Sequence, residues 1–197
     1  ATLGMLAIVR SLVLIVSGDR SMSSFPKAFQ WIGQGKIFNI PNPIWIFIIM
    51  VFIAEIVLRR MKIGRLPFFV GSNAQAAELS GLRIKKIQFI LYALCGCAAG
   101  IAGVVSVARL NAAFPLAGNG AELRIIAAAV IGGCSLSGGQ GSIVGALLGV
   151  ILMAIINNLL ILTGVPVYWQ GLVAGLVLIV AVGFDEYSKR KRGEVRS

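Results

Sequence analysis

The stretch RRMKIGRLPFFVGSNAQAAELSGLRIKK, Arg59 to Lys86, is polar and basic and lies between two runs apolar enough to cross a bilayer. It carries seven Lys and Arg residues, and a charged loop between two membrane-length runs is what a membrane subunit presents to the cytoplasm. Within it, Ser72 followed three positions later by Gln75 forms a capping-box pattern. Ala74, Ala76, Ala77, Glu78 and Leu79 favour a helix, and Gly81 is placed to stop it. The pattern predicts a two-turn helix over 73–80, held on the inner face between two spans. A plain surface helix, with no partner, is the competing reading.

Composition sets the same class. Of the 197 residues, 58% are hydrophobic and 13% charged, and the mean hydropathy is +0.92, which is not how a soluble domain is built. The net charge of +11 does not point to nucleic acid, because the basic residues cluster just outside apolar runs and are not interleaved with aromatics. There is no histidine, and Cys95, Cys97 and Cys134 all fall inside apolar runs, so a metal site, a Cys-His nucleophile or a disulfide scaffold is not expected. Cys95-Gly96-Cys97 with Gly100 and Gly103 reads as a set of small residues permitting close helix approach. The chain opens at Ala1 inside an apolar run and reads as the C-terminal part of a longer protein.

Apolar runs fall at 1–16, 43–58, 87–108, 124–134, 142–162 and 168–184, predicting an all-α polytopic membrane protein with about six crossing segments. At about 1.5 Å per residue, 87–108 and 142–162 each cover about 30 Å, the thickness of a hydrocarbon core. The run 43–58 is shorter and is expected either to span with little tilt or to include snorkelling Arg59 and Arg60 in its last turn. Eleven residues at 124–134 reach only about 17 Å, so this segment is expected as a half-helix continued by an irregular Ser135–Ser142 stretch packed inside protein.

Orientation follows from Lys and Arg counts. With the C-terminus cytoplasmic, 59–86 holds seven and 185–197 five, against three in 17–42 and one in 109–123 outside. Lys189, Arg190, Lys191 and Arg192 then act as a topological anchor, with binding to anionic lipid or RNA as the other uses such a tail has. Four polar residues in or beside the apolar runs are candidates for a translocation path: Arg10, Glu122, Asn157 and Asn158. Each asparagine reads first as hydrogen-bonding glue between helices and second as a pathway contact. Glu122 and Glu55 are conceivable partners for Arg10, although Glu55 is expected near the inner interface.

Gly71-Ser-Asn-Ala-Gln-Ala-Ala-Glu-Leu-Ser-Gly81, followed by Ile84-Lys85-Lys86 and a span, resembles the cytoplasmic coupling loop of permease subunits of ABC importers for ribose and related monosaccharides. The resemblance continues in Thr2-Leu3-Gly4-Met5 with Arg10, in Val107-Ala108-Arg109-Leu110, and in Ala117-Gly118-x-Gly120-x-Glu122-Leu123. It resumes in Ala127-Ala128 to Gly132-Gly133-x-Ser135-Leu136-x-Gly138-Gly139-x-Gly141, and in Asn157-Asn158 before Gly164-Val165. It covers nearly the whole chain in order and spacing. Where the family has Tyr before the Glu-Leu pair and Asp after it, this chain has Ala121 and Arg124.

That resemblance implies a single transmembrane permease domain over 1–197, with 59–86 as its coupling segment and Asn73, Ala76, Ala77, Glu78, Ser80 and Gly81 meeting an ATPase. It implies a second permease subunit, identical or related, two cytoplasmic ABC ATPase domains, a periplasmic sugar-binding protein and a place in the bacterial inner membrane. The chain itself would bind no cofactor and do no covalent chemistry. Leu136-Ser137-Gly138-Gly139-Gln140 spells the signature of ABC ATPases, whose amides contact nucleotide phosphate. That use requires a Walker A loop, Gly-x-x-x-x-Gly-Lys-Ser/Thr, which the sequence lacks. Gly132, Gly133, Gly138, Gly139 and Gly141 instead read as allowing a tight connection between two membrane helices. An ion-coupled secondary transporter is the rival, with the 134–142 break and the asparagine pair as its only midplane candidates. A membrane enzyme fits seven acids and no histidine poorly.

Overall fold

The computed structural model describes residues 2–136 and 138–191. In chain order the elements are α1 (Thr2–Ser17), β1 (Met22–Ser23), α2 (Lys27–Gln34), β2 (Lys36–Ile37), β3 (Ile40–Pro41), α3 (Asn42–Arg60), α4 (Lys62–Ser72), α5 (Ala74–Leu79), α6 (Ile84–Leu110), β4 (Ala112–Ala113), α7 (Ala121–Ile131), α8 (Ile143–Leu162) and α9 (Val167–Lys191). The chain is an all-α polytopic membrane protein. By length and composition, α3, α6 and α8 are able to cross a membrane, and at most 11% of any of their apolar windows is buried inside the chain. Apolar side chains left outward along a membrane-length helix face lipid or other protein. Shorter apolar stretches occupy Gly4–Ser17 and Gly171–Gly183. Arg59 and Arg60 lie in the last turn of α3, the second of the two arrangements the short run allowed, and basic residues there also suit the negative end of the helix dipole.

The chain divides into two compact units. The first comprises Ala1–Met50 and Leu91–Asn119. Its segment between α1 and α3, an external loop in the sequence reading, is in fact folded. α2 packs against the end of α6 so closely that a Cβ on Gly33 would lie 2.2 Å from the Ala108 carbonyl carbon, and Ala108 is fully buried. The Gln34 amide donates to the Arg109 carbonyl at 3.2 Å, the Phe25 N–H donates to the Asn111 side-chain oxygen at 3.2 Å, and β1 pairs antiparallel with β4. Buried Asn42 donates from its side chain to the Trp31 carbonyl at 2.7 Å, pinning the start of α3. In this unit Gly96, Gly100 and Gly103 of α6 meet nothing within 4 Å, so the close helix approach expected for them is not made within the described chain.

The second unit comprises Val51–Ile90 and Gly120–Ser197. Its core is Ala127, Ala128 and Met153, with Ile131, Ile156 and Val177 packed on it, so that α7 lies against both α8 and α9. Small residues make this possible. A Cβ on Gly149 would stand 1.9 Å from the Ala128 carbonyl oxygen and one on Gly145 2.1 Å from that of Gly132, so α7 and α8 touch backbone to backbone. The two contacts step four residues in opposite directions, which makes α7 and α8 an antiparallel hairpin. α7 has 11 residues and ends in a Schellman turn: Gly133, at φ 85°, donates to the Val130 carbonyl and Cys134 to that of Ala129. It is the half-helix that the short apolar run predicted.

Candidate functional site

The Arg59–Lys86 segment folds into two helices where the sequence suggested one. α4 was not foreseen, because Pro67 inside it argues against a helix. Pro67 falls in its second turn, close to the first-turn positions that tolerate proline, and α4 starts only after Met61. Its first turn is seated hard on the end of α3, since a Cβ on Gly64 would meet the Val57 carbonyl oxygen at 2.1 Å.

The helix expected over 73–80 is α5, Ala74–Leu79, inside those bounds. Its N-cap is Asn73 and not Ser72. The Asn73 side-chain oxygen accepts from the Ala76 N–H at 3.0 Å, whereas the Ser72 hydroxyl belongs to the preceding helix and donates to the Phe68 carbonyl at 2.8 Å. The capping-box reading failed because α4 extends to Ser72, so the extended residue that opens α5 is the next one, Asn73 at φ −153°. At the other end Gly81 takes φ 81°, donating to the Glu78 carbonyl while Leu82 donates to that of Ala77. This is a Schellman stop, and the left-handed residue in it is glycine, as the sequence pattern required.

Of the residues Asn73 to Gly81, only Ala77 is buried. The rest of α5, with Asn73, Ala76, Glu78, Ser80 and Gly81, faces outward. Leu79, whose sequence signal is a leucine in an otherwise polar stretch, is 90% exposed.

The glycines following α7 divide by what they do. Gly132 is close-packed, with its Cβ position 2.3 Å from the Gly145 carbonyl oxygen, whereas Gly133 meets nothing and is required for its positive φ. Gly138 and Gly139, at φ 89° and 79°, shape a loop that closes on itself through the Ser135 N–H to the Gln140 carbonyl. A Cβ on Gly141 would lie 3.1 Å from the Cys134 sulfur. Ser142 then caps α8, its hydroxyl accepting from the Gly145 N–H at 3.0 Å.

The antiparallel register also locates the polar candidates. It puts Glu122, in the first turn of α7, level with Ile155 and Ile156, beside Asn157 and Asn158 on α8. These three share the end of the hairpin opposite the glycine loop. Asn157 is half-buried and Asn158 exposed, about 21 Å along α8, which is its C-terminal third and not its middle. Glu122 suits the positive helix end it occupies. Arg10 lies in the first unit, half-buried in a pocket with Leu6, Val9, Pro115 and Ala117. Glu55 pairs with Arg59 one turn later on α3, at the basic end of that helix. Of the tail cluster, Lys189 to Lys191 fall in α9 and Arg192 lies outside the described residues.

Residues 1–182 match the family described as branched-chain amino acid transport system / permease component. The ribose import permease protein RbsC of Escherichia coli (strain K12) is 40% identical over 189 residues, covering 94% of this chain and 59% of that protein. RbsC of Bacillus subtilis (strain 168) is 36% identical over 187 residues, 94% of this chain and 58% of its own length. The L-arabinose ABC transporter permease protein AraH of Azospirillum brasilense is 37% identical over 192 residues, 97% of this chain and 56% of its own. The chain thus spans somewhat under three fifths of the relatives it matches, and no solved structure matches it. With membrane-length helices and a family match over nearly its whole length, the chain belongs to the branched-chain amino acid transport system / permease component family.

Proposed function

We propose that this chain is part of the membrane subunit of an ATP-driven importer in a bacterial inner membrane, passing a monosaccharide or related polyol. The observation that carries this is α5: a six-residue helix capped at both ends, one residue turned inward and the rest presented outward, on the basic loop between α3 and α6. A rigid, pre-ordered helix costs little entropy to dock. Its exposed Leu79 with flanking Glu78 offers an apolar anchor and a charge, which suits a groove on a cytoplasmic ATPase. The relatives named for ribose and L-arabinose support a sugar as cargo.

In this reading two permease subunits enclose the path, two ATPases dock on their α5 helices from the cytoplasm, and a periplasmic sugar-binding protein delivers the cargo. The segment 59–86 and the C-terminus face the cytoplasm, and the hairpin end with Glu122, Asn157 and Asn158 faces outward. ATP-driven closure of the ATPases displaces α5 and switches the path between inward and outward access. Polar contacts in the path hold sugar weakly, since a tight site would slow release. The chain performs no hydrolysis of its own.

The test is co-purification of the full-length subunit with its ATPase in detergent, with Leu79→Glu and Glu78→Lys as variants. Burying a new carboxylate in an apolar groove costs several kcal/mol, on the order of 2–4, enough to abolish capture. Undiminished capture by both variants would remove α5 as the docking element. If the wild-type subunit retains no ATPase, ion-coupled uptake becomes the reading to test.

A further inference from the structure

Where α4 turns into α5, the segment rests on the glycine loop between α7 and α8 with no side chain larger than that of Ser72 at the contact. A Cβ on Gly71 would lie 2.4 Å from the Gly139 backbone nitrogen and 3.1 Å from the Gly138 carbonyl carbon. Reciprocally, one on Gly138 would lie 3.0 Å from the Gly71 Cα, and one on Gly139 2.5 Å from the Ser72 hydroxyl and 3.0 Å from the Ser72 nitrogen. Ser72 is itself held, by its hydrogen bond to Phe68. Three glycines from two separate stretches of chain therefore meet backbone against backbone.

Contacts of this kind behave differently from ordinary side-chain packing. A leucine between two helices absorbs a small displacement by changing rotamer, whereas two abutting backbones have no such freedom and move together or separate. The contact is also continuous on both sides. Towards the cytoplasm, Asn73 both ends α4 and caps α5. Towards the membrane, the loop leads into the cap at Ser142, and the hairpin is locked by Gly132 on Gly145 and Gly149 on Ala128.

We propose that the contact of Gly71 and Ser72 with Gly138 and Gly139 is the joint through which displacement of α5 reaches the α7–α8 hairpin, and with it the end bearing Glu122, Asn157 and Asn158. These are positioning residues for transport. The inference rests on α5 being the ATPase-docking helix, and it gives Gly138 and Gly139 a mechanical role in place of the nucleotide-binding one that the spelling around them suggests.

Gly71→Ala tests it cleanly, because Gly71 is not among the residues at positive φ and an alanine there changes only the space available. In the full-length subunit assembled with its ATPase, the variant is expected to capture ATPase as wild type does while sugar uptake falls about tenfold or more, the size of a lost coupling. Uptake within about twofold of wild type overturns the joint. Loss of ATPase capture specifically in Gly71→Ala also overturns it, since the contact would then position the docking helix and not transmit its motion. Failure of the wild-type subunit to hold ATPase overturns the docking reading and the joint with it.

A second measurement leaves the glycines intact. With Cys95, Cys97 and Cys134 replaced by alanine, spin labels at exposed Gln75→Cys and Leu136→Cys report the separation of α5 from the glycine loop. The joint requires that separation to change by less than about 2 Å between nucleotide-free and ATP-trapped states, and a shift of about one helical turn, 5 Å, overturns it.

Discussion

Gly145 and Gly149 on α8 stand four residues apart, as do Gly96 and Gly100 on α6, yet the first pair leaves a Cβ 2.1 and 1.9 Å from carbonyl oxygens of α7 while the second meets nothing within 4 Å. Both lie in apolar helices long enough to cross a membrane. The physical difference is what each helix has to hold. α7 has only 11 residues, about 17 Å, too short to cross a hydrocarbon core by itself, and runs into an irregular loop whose backbone groups need protein partners. Close approach to α8 provides that enclosure. α6, with 27 residues, satisfies its own backbone across the whole core and needs no neighbour for that purpose. A small-residue spacing therefore reports that close approach is possible, and the presence of an incomplete helix nearby decides whether it happens.

The largest effect expected from this contrast is at Gly149. Gly149→Val places a branched side chain into the Ala128 carbonyl, which no rotamer avoids because the clash begins at Cβ. Overpacking of this kind costs about 3 kcal/mol. Thermal unfolding of the purified full-length subunit in detergent is expected to drop by several degrees, with loss of the monodisperse peak on size exclusion. A melting temperature equal to wild type would mean that α7 and α8 are not held by this contact, and the contrast with α6 would collapse.

A smaller effect separates Asn73 from Ser72. Asn73→Ala removes the side-chain acceptor for the Ala76 N–H and is expected to weaken α5 by about 1 kcal/mol. Amide hydrogen exchange over 76–81 should accelerate about fivefold. Ser72→Ala loses only a bond from the hydroxyl back to Phe68 within α4 and should leave exchange in α5 unchanged. Acceleration in both variants would show that α4 and α5 open as one unit.

The fold class, the half-helix and the glycine stop at Gly81 were legible because each rests on a local rule: run length against bilayer thickness, and a left-handed residue at a helix end. The capping residue was misassigned by one position, because the pattern Ser-x-x-Gln says nothing of whether a preceding helix already claims the serine. α4 was hidden by Pro67, which disfavours helix interiors but is tolerated near a helix start. α2 and its seat on Ala108 were hidden by the polarity of 17–42, since what holds that segment is tertiary contact and not its own pattern. The meeting of Gly71 with Gly138 and Gly139 joins positions more than sixty residues apart, and no local rule reaches that far. Leu79 reads locally as one more helix former, and only its exposure in the structure sets it apart.

The smallest expected effect is the most discriminating. Gly100→Ala adds a methyl group to a helix interior where nothing lies within 4 Å, so no clash opposes the entropy that alanine spares. The isolated subunit should be unchanged or more stable by about 0.5 kcal/mol, read as a slight rise in melting temperature. The same variant measured in the assembled transporter carries the second half of the test. If it is silent there too, the open face of α6 is turned to lipid, and its glycines serve no contact. A loss confined to the assembly would show that a second subunit approaches α6 as closely as α8 approaches α7, and the two glycine pairs would then differ only in whether their partner is on the same chain.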